Sequence, residues 1–136
     1  MAFRVITDEQ GRLGRFFCEV NKIDYQKDTR SVYIGLESNG VLNAVAEYNN
    51  FQKGSIQIHQ AITGRINLDV LRLVFHYPFV LLGVKKIIGK IPSNNEKSLK
   101  LSYHLGFVHE CTIKDAGDNC DLVILSMTKA QCRFLS

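Results

Sequence analysis

The chain lacks an apolar run long enough to cross a bilayer. Its longest, Phe75 to Val84, is broken by His76 and Pro78 and falls well short of the roughly 20 residues a spanning helix needs. The start, Met1-Ala2-Phe3-Arg4, has neither the apolar stretch nor the small-residue cleavage site of a secretory signal, so the expected compartment is the cytoplasm. Cysteine is sparse and scattered: Cys18, Cys111, Cys120 and Cys132 form no C-x-x-C pair and accompany no closely spaced histidines. That spacing argues for reduced thiols and against a zinc site, and no metal is expected. Charge of one sign is also nearly lacking in excess, at 17 basic against 13 acidic residues. The surplus suits an anionic ligand but is too small to mark a nucleic-acid binder, and no aromatic stripe accompanies the lysines.

What is present is ordinary globular material. With 136 residues, 46% hydrophobic and 22% charged, the chain is expected to form one domain, residues 1–136, with a core that needs no disulfide. Thr7 and Gln10 have capping-box spacing ahead of Leu13, Phe16, Phe17 and Val20, which predicts a first helix weakened by Gly11 and Gly14. Alternation then predicts three antiparallel strands: Val32 to Leu36, Val41 to Tyr48 with Asn39-Gly40 as the tight turn between them, and Ser55 to Ala61.

The period then switches. Leu68, Leu71, Phe75, Phe79 and Leu82 trace one face of a helix from about Asn67 to Leu82, kinked at Pro78 and stopped at Gly83. Lys85 to Ile91 reads as a strand, and Ser93 to Glu96 as a capping box for a helix that Gly106 ends. Val108 to Lys114 and Leu122 to Met127 read as a closing hairpin. This order predicts a mixed α/β fold: a mostly antiparallel sheet with helices on both faces, and one parallel strand pair across the helix at Leu68 to Leu82. Ligands favour such strand-to-helix junctions.

The segment Ile91-Pro92-Ser93-Asn94-Asn95-Glu96-Lys97-Ser98-Leu99-Lys100-Leu101-Ser102-Tyr103-His104-Leu105-Gly106-Phe107 resembles the GNAT superfamily of N-acetyltransferases, whose helix of this kind closes on Leu-Gly-Phe. Asn95, Ser98, Leu101, Leu105, Gly106 and Phe107 fall on that pattern, and the element order is that of the family. The tail from Met127 to Leu135, with Tyr77-Pro78-Phe79 and Ile58-His59, resembles small phage and prophage members. In pattern the chain also resembles the ribosomal-protein N-terminal acetyltransferase type. The resemblance spans about residues 31 to 136. It implies acetyl-CoA as co-substrate, a primary amine as acceptor, of a protein rather than an antibiotic, and a host-cell cytoplasm if the chain is phage-encoded.

The family's phosphate-binding signature falls on Ala61-Ile62-Thr63-Gly64-Arg65-Ile66, which keeps only its middle glycine. Backbone N–H groups of Thr63 and Gly64 at a helix start, with Arg65 beside them, are the expected phosphate contacts. The resemblance assigns Asn95, together with Ser98, to the cofactor's pantetheine arm; Asn95 as a helix cap is the plain alternative.

The position where the family commonly carries a leaving-group tyrosine holds Ser102, and Tyr103 lies about 100° further round the helix. His59 is the candidate base and Glu47 its alternative, each weighed against a purely structural role. His76, His104 and His109 have no motif context. Lys85, Lys86, Lys90, Lys97 and Lys100 read as either a phosphate-attracting set or a solvated face. The altered turn and Ser102 keep a second class open: a catalytically silent interaction protein of a phage, docking to a host or virion component. A homodimer through a strand edge or the apolar tail Phe134-Leu135 is a separate expectation for the chain.

Overall fold

A computed structural model describes residues 3–25 and 30–135. The signal-peptide reading therefore rests partly on residues outside the described set. Seven strands form one sheet in the order β1-β2-β3-β4-β5-β7-β6. Their spans are β1 (Phe3–Ile6), β2 (Val32–Ser38), β3 (Val41–Asn49), β4 (Ser55–Ile62), β5 (Lys86–Pro92), β6 (Val108–Ile113) and β7 (Leu122–Thr128). The helices are α1 (Gln10–Val20), α2 (Leu68–His76) and α3 (Glu96–Leu105). Every pairing is antiparallel except β4 with β5, so the expected mixed sheet with one parallel pair is the observed one. No described helix is long and apolar enough to cross a membrane.

Sheet alternation sorts the core into two layers. Leu13 and Phe17 of α1 pack on Tyr33, Val45 and Ala61 on one face. On the other, Phe75 of α2 and Leu105 of α3 pack with Ile34, Ala46, Ile56, Ile87 and Leu125. The tail returns to this second layer, where Phe134 stacks on Phe75 with centroids 5.3 Å apart.

Local chemistry explains the boundaries and three corrections. Asn39 and Gly40 have φ of 53° and 80°, as the tight β2–β3 turn requires. Gln10 serves in no capping box: its Nε2 donates to the carbonyls of Thr7 and Tyr33, and its Oε1 accepts from the Tyr33 N–H, pinning α1 to β2. Gly14 is buried, and a Cβ there would lie 3.2 Å from the Tyr33 ring on which the helix rests. The long helix stops being α-helical at His76, and Tyr77–Leu81 forms a π-helical turn around Pro78, whose missing N–H cannot continue the ladder. The third correction is at α3, where the cap is Asn95, accepting from the Ser98 N–H, while Ser93 Oγ accepts from Asp121 N on the neighbouring hairpin. Strand β1 is an addition, a short half-exposed ribbon on the β2 edge.

Candidate active site

Strands β4 and β5 pair only at Ser55–Lys86, Ile56–Ile87 and Gln57–Ile88. Beyond Gln57, β4 continues with β3 as partner and β5 continues with β7, so the two parallel strands separate and expose their facing edges. A cavity of about 590 Å³ opens in the gap, with walls from β4, β5, α2, α3 and the end of α1. Such a volume suits a small-molecule ligand. Gln60 Nε2 spans the opening and donates to Ser98 Oγ at 3.2 Å. From the other side, Asn21 Nδ2, just past α1, donates to the Gln60 carbonyl at 3.3 Å and ties the helix end to β4.

The cavity brings together most of the residues singled out in the sequence. His59, Ala61, Ile62, Ile66, Asn95, Ser98 and Ser102 all line it. Ser102 is 7% exposed, one turn from Ser98 on the inner side of α3, whereas Tyr103 is 46% exposed and lies outside. Asn95 caps α3 and lines the cavity at the same time. Thr63, Gly64, Arg65 and Glu47 are not part of the lining. His76 and His104 are exposed, and His109 shares a hydrogen bond with Thr112. Of the lysines, Lys90 and Lys97 reach the cavity; Lys86 pairs with Glu110. Among the described residues no cluster of three metal-ligating side chains exists.

Electrostatics single out His59. Burial lowers its pKa below the usual histidine value; the Glu47 carboxylate opposes that shift and Lys90 adds to it. The ring is therefore neutral at pH 7 and able to accept a proton. Tyr33, Glu47 and His59 occupy directly opposed positions on β2, β3 and β4, and so share the α1 face. Glu47 accepts from Tyr33 Oη at 2.8 Å and from Asn49 Nδ2 at 3.3 Å, so both carboxylate oxygens are committed. Burial and that bond to a carboxylate raise the Tyr33 pKa, which keeps the phenol protonated.

At residues 61–66 the expected free phosphate donors are not found. The Asn43 carbonyl accepts from Thr63 N at 2.8 Å and from Gly64 N at 3.1 Å, so the two donors expected to face a phosphate point into β3. Asn67 caps α2 by accepting from the Val70 N–H, and Asp69 adds a carboxylate to the first turn. The residues present thus fit the peptide-like arm of acetyl-CoA, through the amides of Gln60 and Asn95, the Ser98 hydroxyl and apolar walls. They do not present the free Thr63 and Gly64 donors that its pyrophosphate would use.

Sequence reasoning passed over Gln60, Asn21 and Asn43. Asn43 alone left a signal, as the one polar residue inside the run from Val41 to Ala46.

No protein-family model matches the sequence, and no curated protein matches it. Solved structures do. The chain is similar to a single-residue mutant of the spermidine N-acetyltransferase of Vibrio cholerae, with a TM-score of 0.76, 16% identity and 94% of each chain covered. It is similar to the Vibrio cholerae spermidine/spermine N-acetyltransferase solved with manganese ions, at 0.72 and 19%, covering 94% of this chain and 93% of that one. A probable acetyltransferase aligns at 0.64 and 24%, over 76% of this chain and 63% of its own. The fold, a seven-stranded mixed sheet with its parallel pair at β4–β5, is the GNAT fold of these acetyltransferases.

Proposed function

We propose that the chain is an acetyl-CoA-dependent N-acetyltransferase that acts on a primary amine by direct attack in a ternary complex. One observation carries this reading: the separation of β4 from β5 beyond Gln57 and Ile88 opens a cavity with His59 and Ser102 on its walls. The acetyltransferase fold of the structural neighbours supports it.

In this reading Gln60, Asn95 and Ser98 offer the polar contacts along the arm, between the apolar walls at Ala61, Ile62 and Ile66. Arg65, exposed at the turn, supplies positive charge at the phosphate end. Bound acetyl-CoA supplies an activated acyl carbon. His59, held neutral by burial, takes the proton that the acceptor ammonium must lose, with Glu47 beside it to stabilise the imidazolium. Ser102 donates a hydrogen bond toward the departing sulfur, directly or through a water. The acceptor is an amine of a protein or a small molecule, and the work is done in the cytoplasm.

The test is transfer itself, read as CoA release and as a mass increase of one acetyl group on the amine. Release that requires both amine and His59 supports the assignment; intact acetyl-CoA with every amine tried overturns it. One observation favours a second reading, a binding protein that has kept the fold without the reaction: the Asn43 carbonyl holds both expected phosphate donors. In that case acetyl-CoA would not bind.

A further inference from the structure

The acceptor side of the cleft has a chemistry of its own, and the inference drawn from it rests on the transfer reading above. His59 shares the α1 face of the sheet with Val45 and Ala61, because Glu47–His59 and Val45–Ala61 are opposed pairs two residues apart. Over that face lies the C-terminal end of α1. Asn21 ties this end to β4, and Phe17, Val20 and Ile23 line the cavity there. Phe17 is buried, Val20 half-buried and Ile23 56% exposed, so the three grade from floor to rim.

The charge of the lining is equally specific. Among the described residues no aspartate or glutamate lines the cavity; its only charged side chains are Lys90 and Lys97. Glu47, beside His59, is outside the lining and spends its oxygens on Tyr33 and Asn49. A polyamine entering this cleft would keep at least one ammonium charged beside the exposed Lys90 and Lys97, with no lining carboxylate to pair with. A monoamine loses its single charge to His59 and can lay an apolar substituent on the α1 end.

We infer that the acceptor is a monoamine bearing an aliphatic or aromatic side chain next to the amino group, as in an apolar amino-acid amide or a peptide N-terminus. Phe17, Val20 and Ile23 determine that specificity, and a polyamine is a poor substrate.

The experiment compares kcat/KM for leucinamide, glycinamide and spermidine with the whole chain and saturating acetyl-CoA. Leucinamide is expected to exceed both others by about tenfold or more, the factor that burying a leucine-sized side chain is worth. Ile23→Asp places a carboxylate at the rim and should move the leucinamide-to-spermidine ratio about tenfold toward spermidine. Ile23 is half-exposed, so the fold should tolerate the change. Val20→Ser, an independent variant, should reduce the leucinamide-to-glycinamide ratio. Spermidine turned over as well as leucinamide, or ratios that neither variant moves, overturns the specificity and leaves the transferase standing. No acetylation of any amine overturns the transferase and this inference with it.

Discussion

The backbone carbonyl of Asn43 accepts from the N–H of Gly64 at 3.1 Å, and the Asn43 side chain occupies the space into which a Cβ on residue 64 would project, 2.6 Å from Oδ1. A Cβ at position 64 would therefore displace the Asn43 amide from its place. Gly64→Ala should destabilise the fold by about 1–2 kcal/mol, the usual cost of overpacking. Because the colliding atoms belong to one side chain, Asn43→Ala in the same chain should recover most of that loss. A double-mutant cycle by denaturant unfolding checks the coupling, and additive losses would show that Asn43 is not what residue 64 meets.

His59 is expected to set the pH dependence. Its pKa is lowered by burial, so the folded state binds fewer protons than the unfolded state just below pH 6.5. Stability is therefore full above that pH and falls as the pH drops through the window between the two pKa values. His59→Gln should flatten that part of the stability profile and abolish the acidic limb of the rate profile. Glu47→Gln removes the charge that holds the histidine pKa up, and should move the acidic limb to lower pH. A limb that stays in place in both variants would exclude His59 as the titrating base.

Ser102→Ala should lower kcat by about tenfold or more with little change in acetyl-CoA affinity, because Ser102 lines the same cavity as His59 and removal of its hydroxyl leaves a space of one oxygen. Single-turnover rates set beside calorimetric affinities separate the two effects. Equal rates would strip Ser102 of its role.

Asn95 stands both at a helix cap and in the cavity, and two substitutions separate those duties. Asn95→Ala should cost about 1 kcal/mol of stability through the lost cap. Asn95→Asp keeps the acceptor oxygen for the Ser98 N–H and adds a charge that the helix dipole favours, so the thermal midpoint should hold. If acetyl-CoA affinity still falls in Asn95→Asp, and the loss persists when salt screens the added charge, the amide donor contacts the ligand. If affinity follows stability in both variants, the residue is a cap alone.

Much of this architecture is legible along the chain because its signals are local. The period switch from Ser55–Ala61 to Leu68–Phe79 places the parallel crossover, and Asn39-Gly40 fixes the β2–β3 turn. Gly106, with φ of 114°, ends α3 in the left-handed conformation that favours glycine. The capping box at Ser93 fails for a contact no local pattern contains: Ser93 Oγ is drawn to Asp121, 28 residues away. Gln10 likewise has capping spacing but finds the Tyr33 backbone across the fold.

In the site, His59, Ser98 and Ser102 follow from the resemblance and meet around one cavity because β5 leads directly into α3. The clamp of Asn43 on the turn, the Gln60–Ser98 bridge and the apolar end of α1 depend on strand register and helix placement, which only the folded chain displays.

The central claim is that the gap between β4 and β5 binds acetyl-CoA, and isothermal titration of the whole protein with acetyl-CoA tests it most directly. Saturable binding is expected, with a matching rise in the thermal midpoint by mass action and a weakened complex in Asn95→Asp and Ser98→Ala. Absence of heat and of any midpoint shift at millimolar acetyl-CoA would contradict it.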